Sequence, residues 1–293
     1  MPYSIFRRDI VEKAIKRYWP VFVLPTFAAF LIGFVWPFLQ GLYLSFCKFI
    51  TIDKASFNGL KNYIFALTEA DFLHAFWFTA LFTVVSTICI NVAALAIALA
   101  LTREIKGTNL FRSVYFMPNL IGGIVLGYIW NILLNCALTL MGKPLLSLHA
   151  PYGFIGLVIL MCWQQIGYMM IIYIAGLQSI PNDYLEAARI DGATESQILW
   201  KVKLPNLMPS ITICLFLSLT NGFKLFDQNL ALTGGDPAHK TEMLALNIYQ
   251  TFYGRSGPQW KGYGQAKAVL FCILVVAIGL IQLKATRSKE VQQ

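Results

Sequence analysis

Residues 75–102, AFWFTALFTVVSTICINVAALAIALALT, contain no Asp, Glu, Lys or Arg. A bilayer core about 30 Å thick is crossed by about 20 apolar residues in a helix, so this run is long enough to span it. Further charge-free runs cover 18–47, 113–142, 144–182, 204–223 and 268–283. The last is short, but residues 262–266 extend it and only Lys267 interrupts, an ammonium that can snorkel to the interface. Composition agrees, with 57% hydrophobic and 13% charged residues, where soluble domains have about half and a quarter. Backbone groups in lipid must be paired within the segment, and barrel strands would be about half as long and alternate in polarity. The expected fold is therefore an all-α polytopic membrane protein with six transmembrane helices, near 20–46, 76–101, 114–135, 154–176, 205–227 and 264–283. Loops of about 10 to 40 residues leave no room for a separate soluble unit, so 1–293 reads as one membrane domain.

Lys and Arg orient it. With the N-terminus inside, inner segments hold 14 of the 23 basic residues, among them Arg7, Arg8, Arg103, Lys106, Arg189, Lys201, Lys203, Lys284 and Lys289. Both termini are thus expected in the cytoplasm. The net charge of +9 follows from this bias, since the basic residues are scattered beside spans and form no patch with stacking aromatics for nucleic acid. Residues 3–17 read as a short amphipathic helix on the inner face, and the first span as a retained anchor, because no small-residue cleavage site follows it.

Catalytic and metal constellations are absent from the pattern. His74, His149 and His239 fall in separate segments without ligand spacing, and there is no G-x-S-x-G or H-E-x-x-H. The six cysteines show no CxxC pair and read as small buried hydrophobes, although Cys47 and Cys136, both near outer span ends, leave a disulfide open. No metal and no cofactor is expected on this chain, and it is not expected to be an enzyme.

The most informative polar segment is the loop 177–204, with EAARIDGA at 186–193. Pro181 suits a first helical turn, and Asp183 and Glu186 add negative charge near the positive end of the helix dipole, so a helix over 181–190 is predicted. Gly192 stops it. Thr194 with Gln197 matches a capping box for a second short helix carrying Ile198, Leu199 and Val202, which Pro205 is expected to end. Small Ala187 and Ala188 let another surface approach closely. The segment reads either as a rigid docking elbow or as an ordinary loop on lipid headgroups.

At these residues the chain resembles the integral membrane subunits of ATP-binding-cassette importers that work with a solute-binding protein. Glu186, Ala187, Ala188, Asp191, Gly192, Ala193, Leu204, Pro205 and Pro209 match the coupling loop of that family, with Leu199 where its sugar-importing members commonly have Phe. The segments 24–46, 58–63 and 223–242 are similar to the maltose-type carbohydrate subfamily, in its first-of-two-permeases form. The resemblance implies a translocation path for a sugar or oligosaccharide, shared with a second permease subunit. It also implies two ATPase copies that use ATP and Mg, an extracytoplasmic solute-binding protein, and a bacterial-type cytoplasmic membrane. The chain itself offers only a faulty phosphate-loop lookalike at 234–241, with His239 where glycine is demanded.

For the path, Asn221, Phe223, Lys224, Phe226, Asp227 and Asn229 gather polar and aromatic groups near the end of the fifth span, and intramembrane ionisable groups commonly face a cavity or a partner. Lys224 and Asp227, three apart, are placed to pair on one helical face. Gln164, Gln165, Asn131 and Asn91 suit either the path or hydrogen bonds between helices, and Gly123 with Gly127 suits close helix packing. Two other functions remain open: a self-sufficient channel or secondary carrier, and an importer of another polar solute such as glycerol phosphate.

Overall fold

The computed structural model describes residues 18–103 and 107–287. The expected helix over 3–17, and Arg7, Arg8, Lys106 and Lys289, lie outside the described residues.

Among the described residues, five helices are long and apolar enough to cross a membrane, α1 (Tyr18–Leu44), α3 (Ala70–Leu101), α5 (Gly123–Leu140), α6 (Ala150–Gln178) and α12 (Pro258–Thr286), and the bent pair Glu195–Asn206 with Met208–Phe223 makes a sixth if it counts as one span. Between them lie α2 (Lys61–Thr68), α4 (Thr108–Phe116), α7 (Asn182–Ile190), α8 (Glu195–Asn206), α9 (Met208–Phe223), α10 (Asp227–Leu232) and α11 (Leu244–Tyr253). A two-residue antiparallel ladder, Cys47–Lys48 with Ser56–Phe57, closes the loop after α1.

The core forms where α3 packs on α6, with Phe82, Ile90, Leu157, Leu160, Met161 and Tyr173 at its centre. Tyr173 donates to Asn91 Oδ1 at 2.8 Å, and Asn91 donates to Ser218 at 3.0 Å, so one amide ties α3, α6 and α9 together. Asn91 is therefore an interhelix residue. Helix α1 stands apart along most of its length, with no buried residue before Leu44.

Several breaks differ from the pattern. The third span, expected over 114–135, is divided: a turn at Met117–Leu120 and extended Ile121 and Gly122 separate α4 from α5, so the crossing helix starts at Gly123. Pro118 and Gly122 set that break. Pro205 does not end its helix. A π-helical turn over Leu199–Lys203 precedes it, and this wider turn accommodates a ring that lacks an N–H donor, as Leu31–Val35 does ahead of Pro37 in α1. The chain bends by 69° after Asn206, between α8 and α9. The fifth span then stops at Phe223, short of the expected 227, and α10 starts afresh at Asp227.

The glycine pair finds its partner within the chain. A Cβ on Gly127 would stand 2.5 Å from the Cβ of Ala231, and one on Gly123 would stand 2.7 Å from that of Asp227, so α5 and α10 touch through this stripe. Asn131 donates to Leu232 O at 2.6 Å and seals the contact.

Lys267 corrects the snorkelling expectation. It lies inside α12, fully buried, and donates to Asn247 Oδ1 and Thr251 Oγ1 at 2.8 Å each while pairing with Glu69. A charge removed from water needs such partners, and they come from α11 and the head of α3. Cys47 is buried and Cys136 exposed, and both are free thiols.

Candidate functional site

The loop 177–204 projects as an elbow. Helix α7 has no buried residue, and its carboxyl end closes with Gly192 at φ +77°. Gly192 N–H donates to Arg189 O and Ala193 N–H to Ala188 O, each at 3.0 Å, the pair of bonds that ends a helix on a left-handed glycine. Thr194 then opens α8 with both halves of the predicted capping box: Thr194 N–H to Gln197 Oε1 at 2.8 Å and Gln197 N–H to Thr194 Oγ1 at 3.4 Å. Arg189 and Glu195 meet across the turn at 3.6 Å, both largely exposed, and such a surface pair adds little.

Glu186, Ala187, Asp191 and Gly192 are exposed, whereas Ala188, Ala193, Leu199, Leu204 and Pro205 are half-buried. Ile198 is fully buried and anchors the elbow, while Ile190 and Trp200 are 85% and 68% exposed. A rigid backbone that offers a carboxylate, small side chains and bare apolar groups is suited to receiving another protein. At its foot, a cavity of about 280 Å³ is lined by Thr102, Gln178, Asn182, Leu185 and Lys203.

A second cavity, of about 270 Å³, lies where α9 breaks. Asn221, Lys224, Phe226 and Asp227 line it, together with Met161, Gln165 and Gln228. Asn221 donates to Gln165 at 3.4 Å and Gln228 to Gln164 at 2.8 Å, so the wall is built of amides. Two of the expected path residues are not in this wall. Phe223 is buried, and Asn229 is fully buried with its amide bonded to Thr241 O and Met243 N–H, which makes it a structural staple. The expected pairing of Lys224 with Asp227 is also not among the ion pairs of the described residues, because Lys224, Leu225 and Phe226 are not helical. Gln228 was invisible to the pattern, since only the restart of the helix at Asp227 points it inward.

A third polar cavity, of about 230 Å³, was not foreseen. His239, Glu242, Asn247, Gln250, Thr251, Gly254 and Arg255 surround it. Arg255 donates to Glu69 at 3.1 Å and lies 4.4 Å over the Trp260 ring. Burial pushes the Glu242 carboxyl above its ordinary range, while His239 at 2.8 Å, Asn247 and Lys267 act in the opposite direction. The sequence signal was Lys267, a lysine inside an apolar run, which asks for a buried anionic partner.

Helix α3 separates the elbow from this third cavity. It has 32 residues, about 48 Å at 1.5 Å per residue, with Glu69 and Arg255 at its head and Thr102 and the elbow's foot at its tail. The two sites therefore lie at opposite ends of the body.

A helical body with long apolar helices and polar cavities among them is the architecture of a polytopic membrane protein. Residues 65–285 match the family described as binding-protein-dependent transport system inner membrane component, and the chain belongs to that family. It is 42% identical to the probable starch degradation products transport system permease protein AmyD of Thermoanaerobacterium thermosulfurigenes, over 94% of this chain and 95% of that one. Identity to the multiple sugar-binding transport system permease protein MsmF of Streptococcus mutans is 31%, covering 96% and 99% of the two chains. The fold is shared with a bacterial ABC transporter involved in the import of the acidic polysaccharide alginate, at a TM-score of 0.79 and 20% identity over 95% of this chain and 98% of that one. The protein is thus a multi-pass inner membrane transport component.

Proposed function

We propose that this chain is one of two unlike permease subunits of an ATP-binding-cassette importer for a sugar or oligosaccharide. The observation that carries the reading is the elbow, closed by Gly192 and reopened by Thr194, which projects without a buried residue on α7. Two ATPase copies dock there in the cytoplasm and use ATP and Mg, and both termini share that side. Glu186 and Asp191 meet basic groups of the ATPase, Ala187, Ala188 and Ala193 give close approach, and Leu199 fills a small hollow. ATPase closure pushes the elbow, and the helix that continues through Leu204 and Pro205 to the 69° bend passes the motion to α9. This chain holds no catalytic group of its own in that cycle, and 1–293 acts as a single permease domain.

A solute-binding protein delivers solute on the opposite side. Asn221, Lys224, Phe226 and Asp227 line the path, with the neutral amides of Gln165 and Gln228 suited to sugar hydroxyls. The exposed ammonium of Lys224 in the same cavity favours a second reading, an anionic polar solute such as glycerol phosphate.

Gentle purification from the native host, followed by ATP hydrolysis assays on whatever accompanies the chain, tests the reading. Accompanying ATPase activity that Glu186→Lys abolishes is the expected result. A chain that moves solute with no ATPase present is instead a carrier or channel.

A further inference from the structure

We propose that the cavity between Glu242 and Arg255 is a second carbohydrate site, holding one sugar unit through its hydroxyls on the face where solute arrives. The inference rests on the sugar-importer reading above and extends it to a place far from the break of α9.

The Glu242 side chain is 2% exposed, and its Oε2 accepts from or donates to His239 Nδ1 at 2.8 Å. Its other oxygen, Oε1, is buried without a hydrogen-bond partner. Buried acceptors are almost always satisfied, and within the chain Asn247 and Lys267 act on this carboxyl, which holds it at the cavity wall. The other groups of the cavity are aligned for a ligand. Asn247 Oδ1 is taken by Lys267, and the same side chain hydrogen-bonds toward the Glu242 carboxyl, which fixes both at the cavity wall. Gln250 donates to Gly234 O at 3.3 Å and so presents its own oxygen. Arg255 is fixed by Glu69 and by the face of Trp260, so little freedom is lost when its remaining N–H groups engage a ligand.

Fixed donors and acceptors side by side match neighbouring hydroxyls, each of which both donates and accepts. A metal ion fits poorly, because no cluster of three His, Cys, Asp or Glu occurs among the described residues. Bulk sets the ligand's size: about 230 Å³ has room for one sugar ring but not for a chain of them. Position sets its role, since the cavity lies at the end of α3 away from the elbow.

The test uses the complete transporter in nanodiscs without its binding protein, with labelled maltotriose as the probe. Wild-type complex should bind maltotriose weakly, and Glu242→Gln should lower that affinity by at least about tenfold while stimulation of ATP hydrolysis by added binding protein stays unchanged. Gln250→Ala, which touches no ion pair, should weaken binding severalfold and decides the matter if the first variant fails to assemble. Unaltered maltotriose binding in both variants overturns the site, and the sugar-importer reading then still stands if uptake persists. Loss of binding-protein docking in Glu242→Gln with maltotriose binding intact also overturns it, assigning the cavity to a protein contact. A wild-type complex that transports no neutral sugar removes the importer reading and the site with it.

Discussion

The ammonium of Lys267, fully buried on α12, rests on the carboxylate of Glu69 at the head of α3, with Asn247 and Thr251 of α11 as its other partners. Three elements that are distant in sequence are thereby held at one point. Removing the carboxylate leaves the buried ammonium without its ion-pair partner, so Glu69→Gln should cost about 3–5 kcal/mol, whereas Lys267→Met, which leaves Glu69 paired with Arg255, should cost less. The double variant Glu69→Met with Lys267→Met should cost less than Glu69→Gln alone. Thermal unfolding of the purified protein in detergent, compared across the three variants, checks this order.

Contact between α5 and α10 leaves no space at Gly127, whose Cβ would lie 2.5 Å from that of Ala231. Gly127→Leu should force the two helices apart at a cost of about 1–3 kcal/mol. Transport should fall more than folding does, because α10 carries Asp227 and Gln228 of the cavity wall. Uptake rate and thermal midpoint measured on the same preparation separate the two effects.

Lys224 and Asp227 line one cavity without forming a pair. Their effects should therefore couple through the shared cavity and not through an ion pair: the coupling energy between Lys224→Met and Asp227→Asn, read from uptake rates in a double-mutant cycle, should exceed about 0.5 kcal/mol with solute transport and vanish in thermal unfolding. A glycerol phosphate importer would respond differently, with Lys224→Met alone abolishing uptake of the anion.

Glu242 gives a pH dependence whose sign follows from its burial. Its folded pKa is raised above the ordinary 4.5, so the folded protein binds the proton more tightly than the unfolded chain. The corresponding stability is fully present below the ordinary value and is lost as pH rises through the raised one. Against wild type, Glu242→Gln should flatten the fall in thermal midpoint over that window; identical pH profiles would remove Glu242 as its source.

Membrane architecture was legible because lipid demands long apolar helices, and runs such as 75–102 announce them directly. The elbow was legible for a local reason: Pro181, Gly192, Thr194 and Gln197 each act within a few residues. Pro205 misled because a wider turn just before it accommodates the ring, and a single sequence does not show such a turn. Lys267 misled because its partner Glu69 is close only after folding, while the snorkelling explanation needed no partner at all. The cavity walls stayed hidden for the same reason, since Gln165, Asn221 and Gln228 converge only once α9 stops and α10 restarts.

Proteoliposomes containing this chain with its partner permease and ATPase, supplied outside with binding protein and labelled maltotriose, test the central claim most directly. Uptake that requires both internal ATP and the binding protein, and that Gly192→Pro abolishes while the protein still inserts, is the expected result. Uptake that proceeds without ATP, or that survives Gly192→Pro undiminished, contradicts the coupling role of the elbow.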